Sequence, residues 1–564
     1  MGTSDKNQKG VTRRGFVKSV AATIGATGLA ATGGAAVLLP GEAEAKVPGI
    51  PAKWDYQADV VIVGYGGAGI AAAITATDAG AKVIVLEKDT LPRGGNTGCS
   101  GGNLCIGNTE EGALEYTKSM CWGTVPDEDL IRTTVLASRA FIGWIEKLGG
   151  KIVYSKRDAA YKSIPGGEAF SGPKMQANIE DGGGPGDGYA LYQFFLKIAT
   201  AKGIKPMLGT PAKDLIQNPL TKEIVGVRAV KEGKEITVKA NKAVILACGG
   251  YENNETIRKN FAPHPHSGYV TFYGTPLNTG DGFLMAQRAG ARIWHMNKKE
   301  CHSFGCVAAS KEVGAGVVMG PAYGFPNSNA QSGIIVNRDG KRFMNEYFDG
   351  GHTDRHRAYD EFEHQHKPVD DSEYSDYRNL PMYWVFDDAT MKSRPFAIAS
   401  RWVGKHKIYT WSPDNQAELA KGWIIKADTL QELAKKIVVK DFFGRVVGMD
   451  PAGLEATVAK YNQYGAAGKD PDFGRRPSTL KPLSKPPFYA IEICECQTNT
   501  QGGPEHDKFA RTLNVDGKPI PRLYTPGELG SLYGALYNGG GNLPEAYSFG
   551  RIAAEHALAL KPWK

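Results

Sequence analysis

Between Ala58 and Asp89 the chain changes its pattern three times. Asp59 to Val63 is a short β-branched run, as expected for a strand buried on both faces. Gly64-Tyr65-Gly66-Gly67-Ala68-Gly69 follows at once, and then an Ala-rich stretch that reads as a helix. Val83 to Leu86 is a second short apolar strand, closed by Glu87, 23 residues after Gly64. This pattern predicts a strand, a glycine turn, a helix and a parallel second strand. Further along, Cys494 and Cys496 alternate on a predicted strand and share one face. No heptad run, internal repeat or long low-complexity tract interrupts the chain.

The first 45 residues follow another pattern. Thr12 to Ser19 reads TRRGFVKS, followed by a weakly apolar Ala/Gly run to Leu39 and then by AEAK. Ala43 and Ala45 fit a small-residue cleavage site, so a mature chain is expected from about Lys46. The adjacent arginines and the Ala/Gly-rich run read as a twin-arginine export signal, placing the protein in the periplasm or on the outer face of the cell membrane. No later stretch holds eighteen or more apolar residues, so a membrane span is not expected.

Composition adds bounds. The 564 residues call for two or three domains. The formal charge is +8, of which five basic and three acidic leader residues supply +2, leaving +6 without clustering. A nucleic-acid partner is therefore not expected. Gly is frequent, at 71 residues with no collagen-like period, so the excess belongs in turns and in backbone that approaches a ligand. The eight cysteines include no C-x-x-C pair and no C-x-x-C-H, and no metal site is expected. Export alone suggests disulfides, whereas folding around a cofactor before export suits free, buried thiols.

The glycine turn has a chemical reading. Gly64 makes the tight turn, Gly66 admits a pyrophosphate to the backbone, and Gly69 lets helix and strand pack closely. The helix N-terminus faces the phosphate charge, and Glu87 accepts the hydroxyl protons of an adenosine ribose. Gly67, Ala68 and Lys88 complete this dinucleotide end of the site.

Leu91 to Asn103, LPRGGNTGCSGGN, makes the reading more specific. A GGNT…SGG segment after the second strand resembles the flavoprotein subunits of the fumarate reductase and succinate dehydrogenase family. Four more segments resemble that family in order: Lys239 to Asn254, Asn278 to Ala291, Ser332 to Glu346, and Asp516 to Glu528 with the following FGRIAAEHA. The resemblance implies FAD, held by Gly95, Asn96, Thr97, Gly101, Gly102, Ala212, Gly249, Asp281, Glu528, Asn542 and Leu543 besides the first turn. No histidine stands in Gly95 to Gly98, so the FAD is expected to be non-covalent. No haem segment is present, so electrons are expected from a separate carrier, a cytochrome or a membrane quinol-linked donor.

The substrate end departs from the fumarate reductase pattern. His302 and Glu346 match family positions. Met391 stands where the family's acid arginine is expected, with Lys392 and Arg394 near but displaced. Asn499-Thr500-Gln501-Gly502-Gly503 replaces a histidine motif, and Asn538 to Asn542 replaces an arginine motif. A buried dicarboxylate without cations is costly, so fumarate is disfavoured. Tyr537 and Gly541 instead resemble the ketosteroid dehydrogenase branch, where a tyrosine and a glycine four residues later polarise a ketone.

These readings imply an α/β fold, with a Rossmann-like FAD-binding domain in two segments, 55–295 and 491–564, and an inserted α+β capping domain, 296–490. The function expected is hydride transfer between flavin and a carbonyl-conjugated C=C bond, serving anaerobic respiration. Tyr537 and Gly541 would hold the carbonyl oxygen and His302 would be the acid. The alternatives are a reductase of an unsaturated carboxylate, clamped by Lys392, Arg394 or Arg401, and a flavoprotein electron-transfer subunit. The aromatics between Tyr347 and Trp423 suit either a pocket for a flat ring or plain core. The His-rich stretch from Asp349 to Asp371 fits no metal motif.

Overall fold

The computed structural model describes residues 49–261, 270–272, 274–297, 299–314, 316–317, 333–346, 379–397, 409–438, 446 and 448–563. The expected leader and the His-rich stretch lie outside these residues. Val47–Lys564 forms one unit built on two main sheets.

The first sheet contains the strands predicted from the opening pattern. Tyr56–Val63 lies between Val83–Leu86 and Lys234–Leu246 and is parallel to both, with Val61 opposite Ile84 on one side and Val244 on the other. Pro519–Tyr524 adds a further parallel strand to Lys234–Leu246. Both faces are covered, as the unbroken apolar runs require. Val60 and Ile62 enter one core cluster with Ala71, Ile74 and Phe549, and Val61 and Val63 enter another with Val244, Phe283 and Leu523.

The helix Gly67–Asp78 carries almost no large side chains, and this is what its position requires. It is buried between the sheet and the C-terminal helix Asn542–Leu558. A Cβ on Gly550 would stand 2.2 Å from the Ala68 carbonyl oxygen, so the two helices touch backbone to backbone.

The second sheet is largely antiparallel. Phe488–Thr500 is its central strand and pairs with Lys299–Cys306, Met382–Asp387 and Ile425–Ala427, and in parallel with Val270–Phe272. The boundary expected at 490/491 therefore falls inside one continuous strand. The far end of that strand also reaches the first sheet's cavity, because Thr498 and Asn499 line it. Tyr383 and Trp384 are core residues on opposite faces, and Tyr409, Trp411 and Trp423 form an aromatic cluster. These described aromatics are packing residues; Tyr347, Tyr359, Tyr374, Tyr377 and Trp402 lie outside the described residues. No helix among the described residues is long and apolar enough to cross a membrane.

Candidate active site

One long cavity runs along the C-terminal ends of the parallel strands. It extends from Glu87 and Ala212 at one end to Asn499, Tyr537 and Asn542 at the other.

At the first end, sterics fix the glycine turn. Gly64 has φ +98°, and a Cβ there would lie 2.2 Å from the Ala247 carbonyl oxygen. A Cβ on Gly69 would lie 2.0 Å from the Gly64 carbonyl oxygen. Gly64, Gly66, Gly67 and Ala68 line the cavity, while Gly69 packs behind it. The Gly67 N–H donates to Thr97 Oγ1 at 3.1 Å, tying the first helix to the short helix Gly95–Cys99. Glu87 accepts the N–H groups of Tyr65 and Asp89, both at 2.7 Å, and burial pushes its carboxyl above the usual range. Lys88 reaches Asp281 at 2.6 Å. Gly101, Gly102 and Gly249 also line the slot.

Midway stands a polar knot. Asn96 accepts the Thr275 N–H on its carbonyl and donates its amide hydrogens to Glu252 and Glu528. Sequence reasoning named Asn96 and Glu528 but missed Glu252, although it stands three residues after Gly249.

At the far end Tyr537 is buried, and its hydroxyl oxygen accepts the N–H groups of Gly540 at 3.0 Å and Asn542 at 3.3 Å. The loop thus closes around the phenol. Tyr537, Gly540, Asn542 and Leu543 line the cavity, whereas Gly541 does not. A Cβ on Gly541 would lie 2.6 Å from the Tyr533 hydroxyl, so that side of the residue faces Tyr533. The expected partner of Tyr537, the Gly541 N–H, lies between Gly540 and Asn542, the two residues whose amides the phenol accepts. Counting four residues along the chain missed the turn that brings Gly540 and Asn542 back to the phenol.

Asn542 is a hub that the sequence suggested only as a cofactor contact. It accepts from Asn499 and Gln501 and donates to Gln501, Ser531 and Glu545. Glu545 is fully buried and also accepts Ser531 Oγ at 2.7 Å and Leu532 N–H at 2.8 Å. Burial pushes its carboxyl up to about 7 against these three donors. Its place in the first turn after Asn542 was visible in the sequence, but its burial was not.

Other expected residues lie apart. Met391 is buried in the apolar core of the second sheet. Lys392 is exposed and paired with Asp388. Arg401 lies outside the described residues. His302 is in the strand Lys299–Cys306, with its side chain outside the described residues. Glu346 is locked by Arg342, with both bonds at 2.8 Å, and by Arg475 at 3.3 Å. No disulfide joins the seven described cysteines, and no described group of residues could hold a metal ion.

The slot suits a dinucleotide. It has a helix N-terminus and a close backbone cradle at one end, an acid at the strand tip, and neutral hydrogen-bonding groups at the other. The model of the FAD binding domain family matches residues 59–543. The digoxin reductase of Eggerthella lenta is 27% identical, aligned over 99% of this chain and 98% of its own. The fumarate reductase (cytochrome) of Shewanella frigidimarina is 29% identical over 88% of this chain and 76% of its own. Among solved structures, the 3-ketosteroid Δ1-dehydrogenase of Sterolibacterium denitrificans superposes with a TM-score of 0.72 at 24% identity, covering 89% of this chain and 100% of that one. This last likeness is one of fold.

Proposed function

Because the chain belongs to the FAD binding domain family and is an FAD-dependent oxidoreductase, we propose that its substrate is a C=C bond conjugated to an uncharged carbonyl. The observation that carries this reading is the position of the Tyr537 hydroxyl. It stands at the end of the slot where the described lining is Asn103, Thr498, Asn499, Gly540 and Asn542, none of them cationic. The described lining cations, Lys88 and Arg93, are at the opposite end, paired with Asp281 and Asp89.

Bound FAD supplies hydride transfer to or from the β-carbon. The chain's own task is to manage the charge and the proton that go with it. The amide hydrogens that a phenol oxygen accepts strengthen it as a donor. Tyr537 then donates to the carbonyl oxygen as negative charge gathers there. In the reducing direction the α-carbon gains one proton, and His302 is the proposed donor. With hydride at one carbon and a proton at the other, the C=C bond gains two hydrogens.

The remaining parts of the reading fit around this step. Glu87 and the glycine turn hold the adenosine and pyrophosphate, and Asn96 and Glu528 hold the middle of the cofactor. The FAD is non-covalent, since Gly95 to Gly98 offers no histidine. The second sheet forms the capping domain. Electrons arrive from a separate carrier, on the outer side of the membrane after twin-arginine export.

The test is flavin re-oxidation. The FAD of the purified protein is reduced chemically without oxygen and mixed with a neutral cyclic enone or with fumarate. Rapid return of the oxidised spectrum with the enone alone supports the proposal. Rapid return with fumarate alone overturns it and moves the site to a carboxylate clamp. Silence with both also counts against it and favours an electron-transfer role.

A further inference from the structure

Asn96 has only one way to face its neighbours. Its carbonyl oxygen accepts the Thr275 N–H at 3.0 Å, so its NH2 group must turn the other way. There it meets two carboxyls at once: Glu252 Oε1 at 2.9 Å, and Glu528 Oε1 and Oε2 at 2.9 and 3.1 Å. The two acids come from the turn after Lys234–Leu246 and the loop after Pro519–Tyr524, 276 residues apart in sequence. Glu252 is 2% exposed. Its Oε1 also accepts the Thr500 N–H at 3.2 Å, while its Oε2 is buried with no donor among the described residues.

Two buried carboxyls meet at one Asn96 amide group, and a proton held between them removes one of two like charges from a dry site. The surroundings offer little other relief. Arg258 faces Glu252, but its guanidinium lies over the Phe272 ring, 5.1 Å from the centroid. The Tyr251 phenol and the Cys99 thiol are the other titratable groups that face the pair, and burial pushes both up, so they stay neutral. Asn278 donates to Glu528 Oε2 at a long 3.4 Å. Burial, and then Glu252, push the Glu528 carboxyl well above the usual range.

We propose that Glu252 and Glu528 share one proton in the FAD-bound protein, and that this makes FAD binding proton-linked. The FAD pyrophosphate adds negative charge to the same cavity and displaces water from it. Both effects favour the shared proton more in the loaded protein than in the empty one. FAD affinity is then highest at low pH and falls as pH rises through the range where the loaded protein keeps the shared proton and the empty protein has lost it. Because Glu252 also holds the Thr500 N–H, the same proton steadies the strand end that carries Thr498 and Asn499 into the slot.

The holoenzyme is diluted across pH 6 to 9, and released FAD is read by its fluorescence at equilibrium. The wild-type dissociation constant should rise with pH, by as much as tenfold per unit in the steepest part, as one linked proton requires. Glu252→Gln keeps a hydrogen-bonding side chain but cannot carry charge, and it should flatten the profile. If that variant does not fold, Glu252→Ala serves the same purpose. A flat wild-type profile, or a variant with the wild-type slope, overturns the proposal.

Discussion

Tyr116 donates its phenolic hydrogen to Asn538 Oδ1 at 2.8 Å, joining the helix Glu110–Cys121 to the loop that carries Tyr537. The same oxygen accepts the Ala160 N–H at 3.0 Å, and Arg157 Nη2 donates to the Asn538 carbonyl at 2.7 Å. Asn538 is buried and fixes the backbone one residue past the phenol. Asn538→Ala removes the two side-chain bonds, each of about 0.5–1.5 kcal/mol. The expected result is a kcat roughly tenfold lower, with FAD content and KM little changed, measured in steady state with an enone. A rise in KM at constant kcat would instead place Asn538 at the substrate.

Tyr537→Phe tests the proposed donor itself. It removes the O–H without changing the ring that packs against Tyr533. Loss of one oxyanion donor costs roughly 100- to 1,000-fold in kcat. The flavin absorbance should stay, because the proposed FAD contacts are the glycine turn, Glu87, Asn96 and Glu528. The Gly540 and Asn542 amides lose their acceptor, so a modest fall in melting temperature should accompany the loss of turnover. Wild-type turnover in this variant would end the role given to Tyr537.

Glu346 should matter for stability and not for chemistry. Burial opposes its charge, but the Arg342 and Arg475 guanidinium groups hold its carboxyl below the usual range. Asp470 shares Arg342 at 3.0 Å. Glu346→Gln leaves two buried arginines with one carboxylate between them, at a cost of roughly 3–5 kcal/mol. Urea unfolding should show that loss, while kcat per folded, FAD-loaded molecule stays at the wild-type level. A selective loss of kcat would instead give Glu346 a part in the chemistry.

Much of the cofactor end was legible because its signals are local. The turn from Gly64 to Gly69 is dictated by clashes within six residues and by one neighbouring carbonyl, so the pattern alone carries it. The far end was less legible because its contacts are not local. Tyr537 and Gly541 have a suggestive spacing, yet the loop folds Gly540 and Asn542 onto the phenol. Glu252 looked like an ordinary turn residue until Asn96 and Glu528 arrived from distant segments. The expected 490/491 boundary falls inside a strand for a related reason. Phe488–Thr500 is one strand whose first part supplies the second sheet's core and whose last part supplies the cavity wall.

Glu545 gives a prediction in pH. Its carboxyl is pushed up to about 7 in the folded chain by burial, against an ordinary value near 4.3 when unfolded. Below the unfolded value both states hold the proton, and Glu545 contributes no penalty. Between the two values the folded state binds more protons, so stability falls as pH rises. Above about 7 the penalty is complete, at roughly 4 kcal/mol for a shift of this size. Glu545→Gln cannot ionise and keeps one carbonyl oxygen, enough to accept on one side of the pair formed by Ser531 Oγ and the Leu532 N–H. Urea midpoints taken from pH 5 to 8 should therefore fall more steeply for the wild type than for the variant. Parallel profiles would mean that Glu545 is ionised throughout, stabilised by Ser531, Leu532 and Asn542 more strongly than burial opposes it.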